Sequence, residues 1–171
     1  SQALQMVSRS DAGMVRSHNE DAVFINAPMG LAILADGMGG YNAGEVASGI
    51  ATTLLGTELE KAFQKTAPHQ QEASGKLHSH VVLEAEIARA NTAIYQAAQS
   101  QPQYAGMGTT LVTAVFYDNM MTVAHIGDSR LYRLRGGEFQ AITRDHSLLQ
   151  EQIDSGKGGV GKSTTAVNLA Y

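Results

Sequence analysis

Leu31-Ala32-Ile33-Leu34-Ala35-Asp36-Gly37-Met38-Gly39-Gly40 is the stretch on which the reading of the fold turns. An apolar run stopped by an acidic residue and a glycine is the pattern of a buried strand that delivers a carboxylate to its own end. Downstream, the spacing predicts a long helix over about 43–65. Its apolar stripe is Val46, Ile50, Leu54 and Phe63, with Leu55 and Leu59 alongside. Upstream, 4–9 and 22–26 read as short strands. Residues 66–75 are polar, contain Pro68, and read as a loop. A second helix is expected over about 76–99, with Leu77, Val81, Ala85, Ala88, Thr92 and Tyr95 on one face.

From Thr109 the apolar period changes to two. Runs at 109–117 and 120–126 meet at Asp118-Asn119, a tight-turn pair, and runs at 131–135 and 138–143 flank Gly136-Gly137, a hairpin signal. Ser147-Leu148-Leu149-Gln150 has the form of a capping box opening a short helix to about residue 154. Strands, then two long helices, then a meander give an α+β layered pattern without the regular alternation of a doubly wound sheet.

Composition sets the outer bounds. A chain of 171 residues with 43% hydrophobic and 16% charged residues belongs with globular single domains. A formal charge of −4 gives no broad footprint for nucleic acid or an anionic membrane, so neither is expected as a partner. The absence of cysteine excludes disulfides and thiolate-ligated zinc and is compatible with the cytosol. No apolar stretch approaches the roughly 18 residues of a membrane span, and a soluble cytoplasmic protein is the expectation.

Chemistry concentrates in three places: Arg16-Ser17-His18-Asn19-Glu20-Asp21, Ala35-Asp36-Gly37-Met38-Gly39-Gly40 and Gly127-Asp128-Ser129-Arg130. Hard divalent cations such as Mg2+ and Mn2+ prefer carboxylate, carbonyl and water oxygens. Asp21 and Asp36 fall at predicted strand ends, where side chains converge on one point. Gly37 leaves its carbonyl unobstructed as a further ligand. Two cations bridged by one carboxylate lower the pKa of a shared water and hold a phosphoryl group for in-line attack. Arg16 offers a fork for phosphate oxygens.

Ser10-Asp11-x-Gly13-x-x-Arg16-x-x-Asn19-Glu20-Asp21 is followed in order by four further motifs. These are the Asp36 stretch with Ala43-Gly44-Glu45-x-Ala47-Ser48, then Gly106-Met107-Gly108-Thr109-Thr110-Leu111-Val112, then Gly127-Asp128-Ser129-Arg130-Leu131-Tyr132, then Thr143-Arg144-Asp145-His146-Ser147-Leu148. Over about residues 4–155 the chain resembles the bacterial metal-dependent protein phosphatases of the type 2C, or PPM, family. The resemblance implies a layered α-β-β-α sandwich, incomplete at the C-terminus. It implies hydrolysis of phosphoserine and phosphothreonine on proteins by a metal-bridging hydroxide. It also implies two Mn2+ or Mg2+ ions, with a third, weaker site, and a phosphorylated protein substrate of a Ser/Thr kinase. By position, Asp36 bridges both metals, Gly37 gives its carbonyl, and Asp21 ligates directly or through water. Glu20 orients metal-bound water, Arg16 binds the substrate phosphate, and Asp128 matches the aspartate of the third site. Met38 stands where many eukaryotic members carry a histidine. The family's later Ser-Asp-Gly and Asp-Asn aspartates have no counterpart after residue 155, so weak metal binding is expected.

Gly156-Lys157-Gly158-Gly159-Val160-Gly161-Lys162-Ser163 fits a second pattern, G-x-x-x-x-G-K-[ST], in which backbone N–H groups, Lys162 and Ser163 would hold phosphate and Mg2+. With Lys157, it resembles the deviant phosphate loop of the partitioning and septum-positioning ATPases, and 163–170 resembles the helix that follows it. Such a loop needs a preceding buried strand, whereas 148–153 reads as an amphipathic helix. The chain is therefore divided into a phosphatase-like body, 1–155, and a phosphate-loop-like tail, 156–171. Two other functions fit the same residues: a catalytically weak module that binds phosphorylated partners, and a nucleotide-binding fragment working through Gly156, Gly161, Lys162 and Ser163.

Minor signals read structurally. His78 and His80 sit at i, i+2 on a helix and point apart. His125 reads as a packed strand histidine. Met6, Met14, Met29, Met107, Met120 and Met121 read as core filling. Arg130, Arg133 and Arg135 alternate as a solvated strand face.

Overall fold

The computed structural model describes residues 4–146 and 168–170. Its elements are β1 (Gln5–Val7), β2 (Asp21–Asn26), β3 (Leu31–Met38), α1 (Ala43–Lys65), α2 (His78–Ser100), a 3-10 turn (Pro102–Tyr104), β4 (Gly108–Thr109), β5 (Leu111–Tyr117), β6 (Met120–Ile126), β7 (Tyr132–Arg135), β8 (Glu138–Ala141) and β9 (Asn168–Ala170). The central antiparallel sheet runs β2-β3-β5-β6, with β4 also on β3.

The apolar run at 31–35 forms the middle of this sheet because it is hydrophobic on both faces. Leu31, Ile33 and Ala35 are almost wholly buried beside α1, together with Leu111 and Val115. Ala32 and Leu34 point the other way, toward Val112 and Ala114, and segment 130–132 closes a small cavity over them. Asp118 and Asn119 both take positive φ, 45° and 58°, in the two-residue turn joining β5 to β6. Gly136 and Gly137 do the same between β7 and β8.

The helix bounds agree closely with the sequence pattern, but the buried faces differ from it. On α1 the buried row is Ala43, Ala47, Ala51, Leu55, Leu59 and Phe63, while Val46, Ile50 and Leu54 lie at its margins. Small residues bring the helix close to the sheet, so the larger aliphatics flank the contact. On α2 the buried row is Ser79, Leu83, Ala90, Ile94 and Ala98. The expected face fails: Ala85, Ala88 and Thr92 are exposed and Tyr95 is 65% exposed. Leu83, Ala90 and Ile94 offer a competing 3–4 spacing that faces α1. Met107 is buried as core filling, but Met14 and Met120 are exposed.

β9 pairs with β1 in antiparallel register, Gln5 opposite Ala170 and Val7 opposite Asn168. Residues 168–170 are thus strand, which corrects the helix expected through residue 170. The capping box at Ser147, the helix to 154 and the phosphate loop, including Gly156, Gly161, Lys162 and Ser163, lie outside the described residues.

The observed rows rank the core substitutions. Leu55→Ala removes a fully buried side chain and is expected to cost about 2–5 kcal/mol in urea unfolding. Ile50→Ala at the margin is expected to cost about 1 kcal/mol, because only part of the side chain leaves water. The reverse ranking would restore the stripe read from sequence.

Candidate metal centre

The site is built where β2 leaves its incoming loop and β3 ends. That loop is fixed by side chains bonding the local backbone and one another. The Gly13 N–H donates to Asp11 Oδ1 (2.8 Å), Asn19 Nδ2 donates to Ser10 Oγ (2.6 Å), and the Asp21 N–H donates to Asn19 Oδ1 (3.0 Å). Asp21 then opens β2 directly opposite Asp36 on β3. Directly paired residues on adjacent strands project to the same face, so the ladder register brings the two carboxyl groups together.

The consequence is electrostatic. The Asp36 carboxyl is pushed up from its ordinary 3.8 to about 6, first by burial, then by the Asp21 charge and a hydrogen bond with Asp21. The Asp128 charge adds to the rise, and the Arg16 guanidinium opposes it. Residues from two separate stretches of sequence therefore act on a carboxyl that belongs to a third.

The start of α1 closes one side. A Cβ on Gly37 would lie 1.8 Å from the Gly44 carbonyl oxygen, and one on Gly44 would lie 2.6 Å from Glu20 Oε1. Neither position accepts a side chain, so the helix start, the end of β3 and Glu20 meet backbone to backbone. The Gly37 N–H donates to the Glu20 carbonyl (3.0 Å). The Glu20 carboxylate rests against the first turn of α1, where the helix dipole favours negative charge. It also lies 3.5 Å from Arg16 Nη1, whose own side chain remains 67% exposed. An exposed guanidinium with one long ion pair keeps most of its donors for another anion.

Asp128 lies in the β6–β7 loop, and that loop is anchored on both sides. Its Gly127 carbonyl accepts from the His146 N–H (2.8 Å), and His125 stacks on the His146 ring at 4.5 Å. Arg130 makes a bidentate pair with the buried Asp145 carboxylate (2.9 and 2.8 Å) and reaches the Tyr132 hydroxyl. These carboxylate and hydroxyl partners hold the guanidinium firmly protonated. Arg130 thus leaves the solvated face expected for it, since it precedes β7 rather than lying on it; Arg133 and Arg135 are exposed. His78 pairs with Glu72 (2.7 Å) and His80 is exposed, so the two point apart as their spacing requires.

The donors suit a hard divalent cation: the opposed carboxyls offer oxygen ligands, and the raised Asp36 carboxyl reflects burial together with the neighbouring Asp21 charge. Among the described residues no group of three or more His, Cys, Asp or Glu side chains is placed to hold a metal ion. What is described is a pair of opposed carboxyls with a third carboxylate acting on Asp36 through its charge, not a closed cage. Among the described residues no helix is long and apolar enough to cross a membrane. The sequence patterns placed Arg16, Glu20, Asp21, Asp36, Gly37 and Asp128 in one neighbourhood, as the structure does. They missed the buried contact between the Thr110 and Ser129 hydroxyls (2.7 Å), the first of which also accepts from the Asp36 N–H; their only signal was their position inside quoted motifs.

Residues 14–155 match the family model for protein phosphatase 2C. The chain is 40% identical over 154 residues to the serine/threonine protein phosphatase PstP of Mycobacterium tuberculosis, covering 90% of this chain and 27% of that protein. It is 40% identical over 151 residues to the protein phosphatase PhpP of Streptococcus pneumoniae, covering 86% of this chain and 57% of that one. The chain therefore spans about half or less of the length of these relatives. Among solved structures, the M. tuberculosis phosphatase PstP/Ppp superposes with a TM-score of 0.76 at 38% identity, covering 90% of this chain and 60% of that one. The PstP catalytic domain in complex with two manganese ions gives 0.75 at 40% identity, covering 90% and 61%.

The raised Asp36 carboxyl predicts how the metal-free chain responds to pH. Its folded pKa lies above the unfolded value, so its proton-linked stability is fully present below pH 3.8 and is lost as pH rises through about 6. Asp36→Asn removes that loss. At pH 7 without metal, the variant is expected to be more stable than the wild type by about 1 kcal/mol, after allowance for solvent screening at a half-buried site. Below pH 4 the advantage should vanish. Urea titrations across this range measure it, and a variant less stable than wild type at pH 7 contradicts the charge repulsion.

Proposed function

Because the chain belongs to the protein phosphatase 2C family, we propose that its site hydrolyses phosphoserine and phosphothreonine in proteins with the help of divalent cations. The observation that carries this reading is the direct opposition of Asp21 and Asp36 at the end of the central sheet. Carboxylates that repel one another in the metal-free chain gain most from a cation between them.

In this reading Asp36 would be the carboxylate common to two cations, the Gly37 carbonyl and Asp21 would add oxygen ligands, and Asp128 would serve a third, weaker site. Mn2+ or Mg2+, when bound, supplies charge neutralisation and activation of water for attack on phosphorus. The protein's own residues do the rest. Arg16, exposed beside Glu20, turns its free N–H groups to the substrate phosphate and neutralises charge as it develops. Glu20 holds the Arg16 guanidinium near the site and accepts a hydrogen bond from water there, its carboxylate fixed against the start of α1. Met38, exposed at the end of β3, has no titratable group, so a proton for the leaving oxygen comes from water or another side chain. The substrate is a phosphorylated protein, the product of a Ser/Thr kinase, acted on in the cytoplasm.

The body of the chain, 1–155, carries this chemistry, and 156–171 is a tail that takes no part in it. A working phosphate loop needs strand, loop and helix in succession, and residues 168–170 pair with β1 as a strand.

Two outcomes test this reading. Asp36→Asn is expected to lower Mn2+ affinity in calorimetry and hydrolysis of a phosphothreonine peptide by at least about 100-fold, with the far-ultraviolet spectrum unchanged. Unaltered Mn2+ affinity would sink the assignment. For the tail, Lys162→Ala is expected to leave both phosphatase activity and binding of a fluorescent ATP analogue with Mg2+ at wild-type levels. Micromolar nucleotide binding that disappears in this variant would instead make the tail a nucleotide site.

A further inference from the structure

Residues paired by hydrogen bonds across an antiparallel ladder ordinarily exchange two main-chain N–H···O=C bonds. At Asp36 one of these is replaced. The Thr110 N–H donates to the Asp36 carbonyl (2.9 Å), as expected. The Asp36 N–H, however, donates to the Thr110 hydroxyl oxygen (3.0 Å) and not to the Thr110 carbonyl. That carbonyl accepts from the Thr109 hydroxyl (2.9 Å). The exchange occurs between β4 and β5, where Thr110 breaks the run of regular strand.

The Thr110 hydroxyl has a second partner. It lies 2.7 Å from the Ser129 hydroxyl, and Thr110 and Ser129 are 7% and 9% exposed. Ser129 follows Asp128 in the β6–β7 loop, whose charge reaches Asp36. A hydroxyl has one proton and two acceptor sites, so this oxygen accepts from the Asp36 N–H and exchanges its other bond with Ser129. The Thr110 methyl is used as well: a Cβ on Gly127, which has φ +94°, would lie 2.9 Å from it. The loop carrying Asp128 is thus seated on both the methyl and the hydroxyl of one side chain. Valine would keep only the methyl and serine only the hydroxyl.

We infer that Thr110 is the positioning residue that locks the backbone of Asp36 to the loop of Asp128, through its own hydroxyl and that of Ser129. It touches neither substrate nor cation; it sets the separation between carboxylates delivered by different parts of the chain. The inference rests on the reading of Asp36 as a cation ligand, but the linkage itself is measurable without metal.

The experiment compares the whole chain with Thr110→Val, Thr110→Ser and Ser129→Ala, with Asp36→Asn as reference. Amide hydrogen exchange at Asp36 is followed in metal-free protein, and Mn2+ affinity by calorimetry. Thr110→Val is expected to speed exchange at Asp36 and to weaken Mn2+ binding about 10- to 100-fold, the range for groups that orient a metal ligand. Thr110→Ser is expected to restore most of both, and Ser129→Ala to give a smaller loss of affinity. Rescue by serine separates the hydroxyl from mere packing, which serine does not restore. If Asp36→Asn weakens Mn2+ binding while Thr110→Val changes neither exchange nor affinity, the positioning role is overturned and the metal reading stands. If Asp36→Asn leaves affinity unaltered, the metal reading fails, and Asp36 exchange in Thr110→Val still decides the linkage. Should Thr110→Val not fold, wild-type exchange and affinity in Ser129→Ala overturn the inference.

Discussion

Asp21 and Asp36 face one another because the ladder between β2 and β3 has a single acceptable register. A slip of one residue would turn Leu31, Ile33 and Ala35 away from α1 and present Ala32 and Leu34 instead. The apolar residues of β3 thus decide where its carboxylate falls, at a distance from the residues that benefit. Burial of the strand supplies the free energy that holds two like charges together, and the raised Asp36 carboxyl reflects what that burial and the Asp21 charge cost its ionised form. The hydroxyl bond at Thr110, the close glycine contact at Gly37 and Gly44, and the anchoring of the Asp128 loop all presuppose this alignment.

The Gly37–Gly44 contact gives the site its second wall. A helix that begins against a strand end with backbone touching backbone leaves no space for water between them. Its first turn is then free to face the Glu20 carboxylate. Charge arrangement follows from this packing: an acidic pair on the sheet, a carboxylate on the helix start, and an exposed guanidinium beside it. Fixed groups of this kind lose little by reorganisation when a charged ligand arrives, which is the physical content of a preorganised site.

Much of this was legible in the sequence, for reasons that differ by element. β3 was readable because an unbroken apolar run ending in Asp-Gly has few alternative structures, and the turn at Asp118-Asn119 because positive φ narrows the residue choice. The span of α1 matched the periodic stretch from residue 43 to 65. Its buried face was misplaced because large aliphatics were given more weight than alanines, whereas close approach to a sheet selects the small side. The face of α2 failed for a related reason: two apolar spacings coexist in that helix, and the partner that chooses between them, α1, is distant in sequence. Among site residues, the carboxylates were legible from motif order. The Arg130–Asp145 pair and the hydroxyls of Thr110 and Ser129 were not, since hydrogen bonds between segments 15 or more residues apart leave no periodic trace.

The raised Asp36 carboxyl and the anchored Asp128 loop are best understood together. Left alone, like charges relax by moving apart or by binding a proton more tightly, and the rise at Asp36, caused first by burial and then by the Asp21 charge, is of the second kind. Moving apart is obstructed on each side. Asp21 is fixed by the ladder and by Asn19; Asp128 is fixed through Ser129, the Gly127 carbonyl and the Arg130–Asp145 clamp on its own loop. A fold that spends hydrogen bonds to keep carboxylates close, when separation would relieve them, departs locally from the arrangement that stability alone would select. Such a departure is expected where a cation, absent from the folding problem, supplies the missing charge afterwards. The same logic explains why the anchors are neutral hydroxyls and peptide groups near Asp36, with the one strong ion pair set further along the loop. A cation side chain placed against Asp36 would satisfy the carboxylate permanently and leave nothing for a metal to gain.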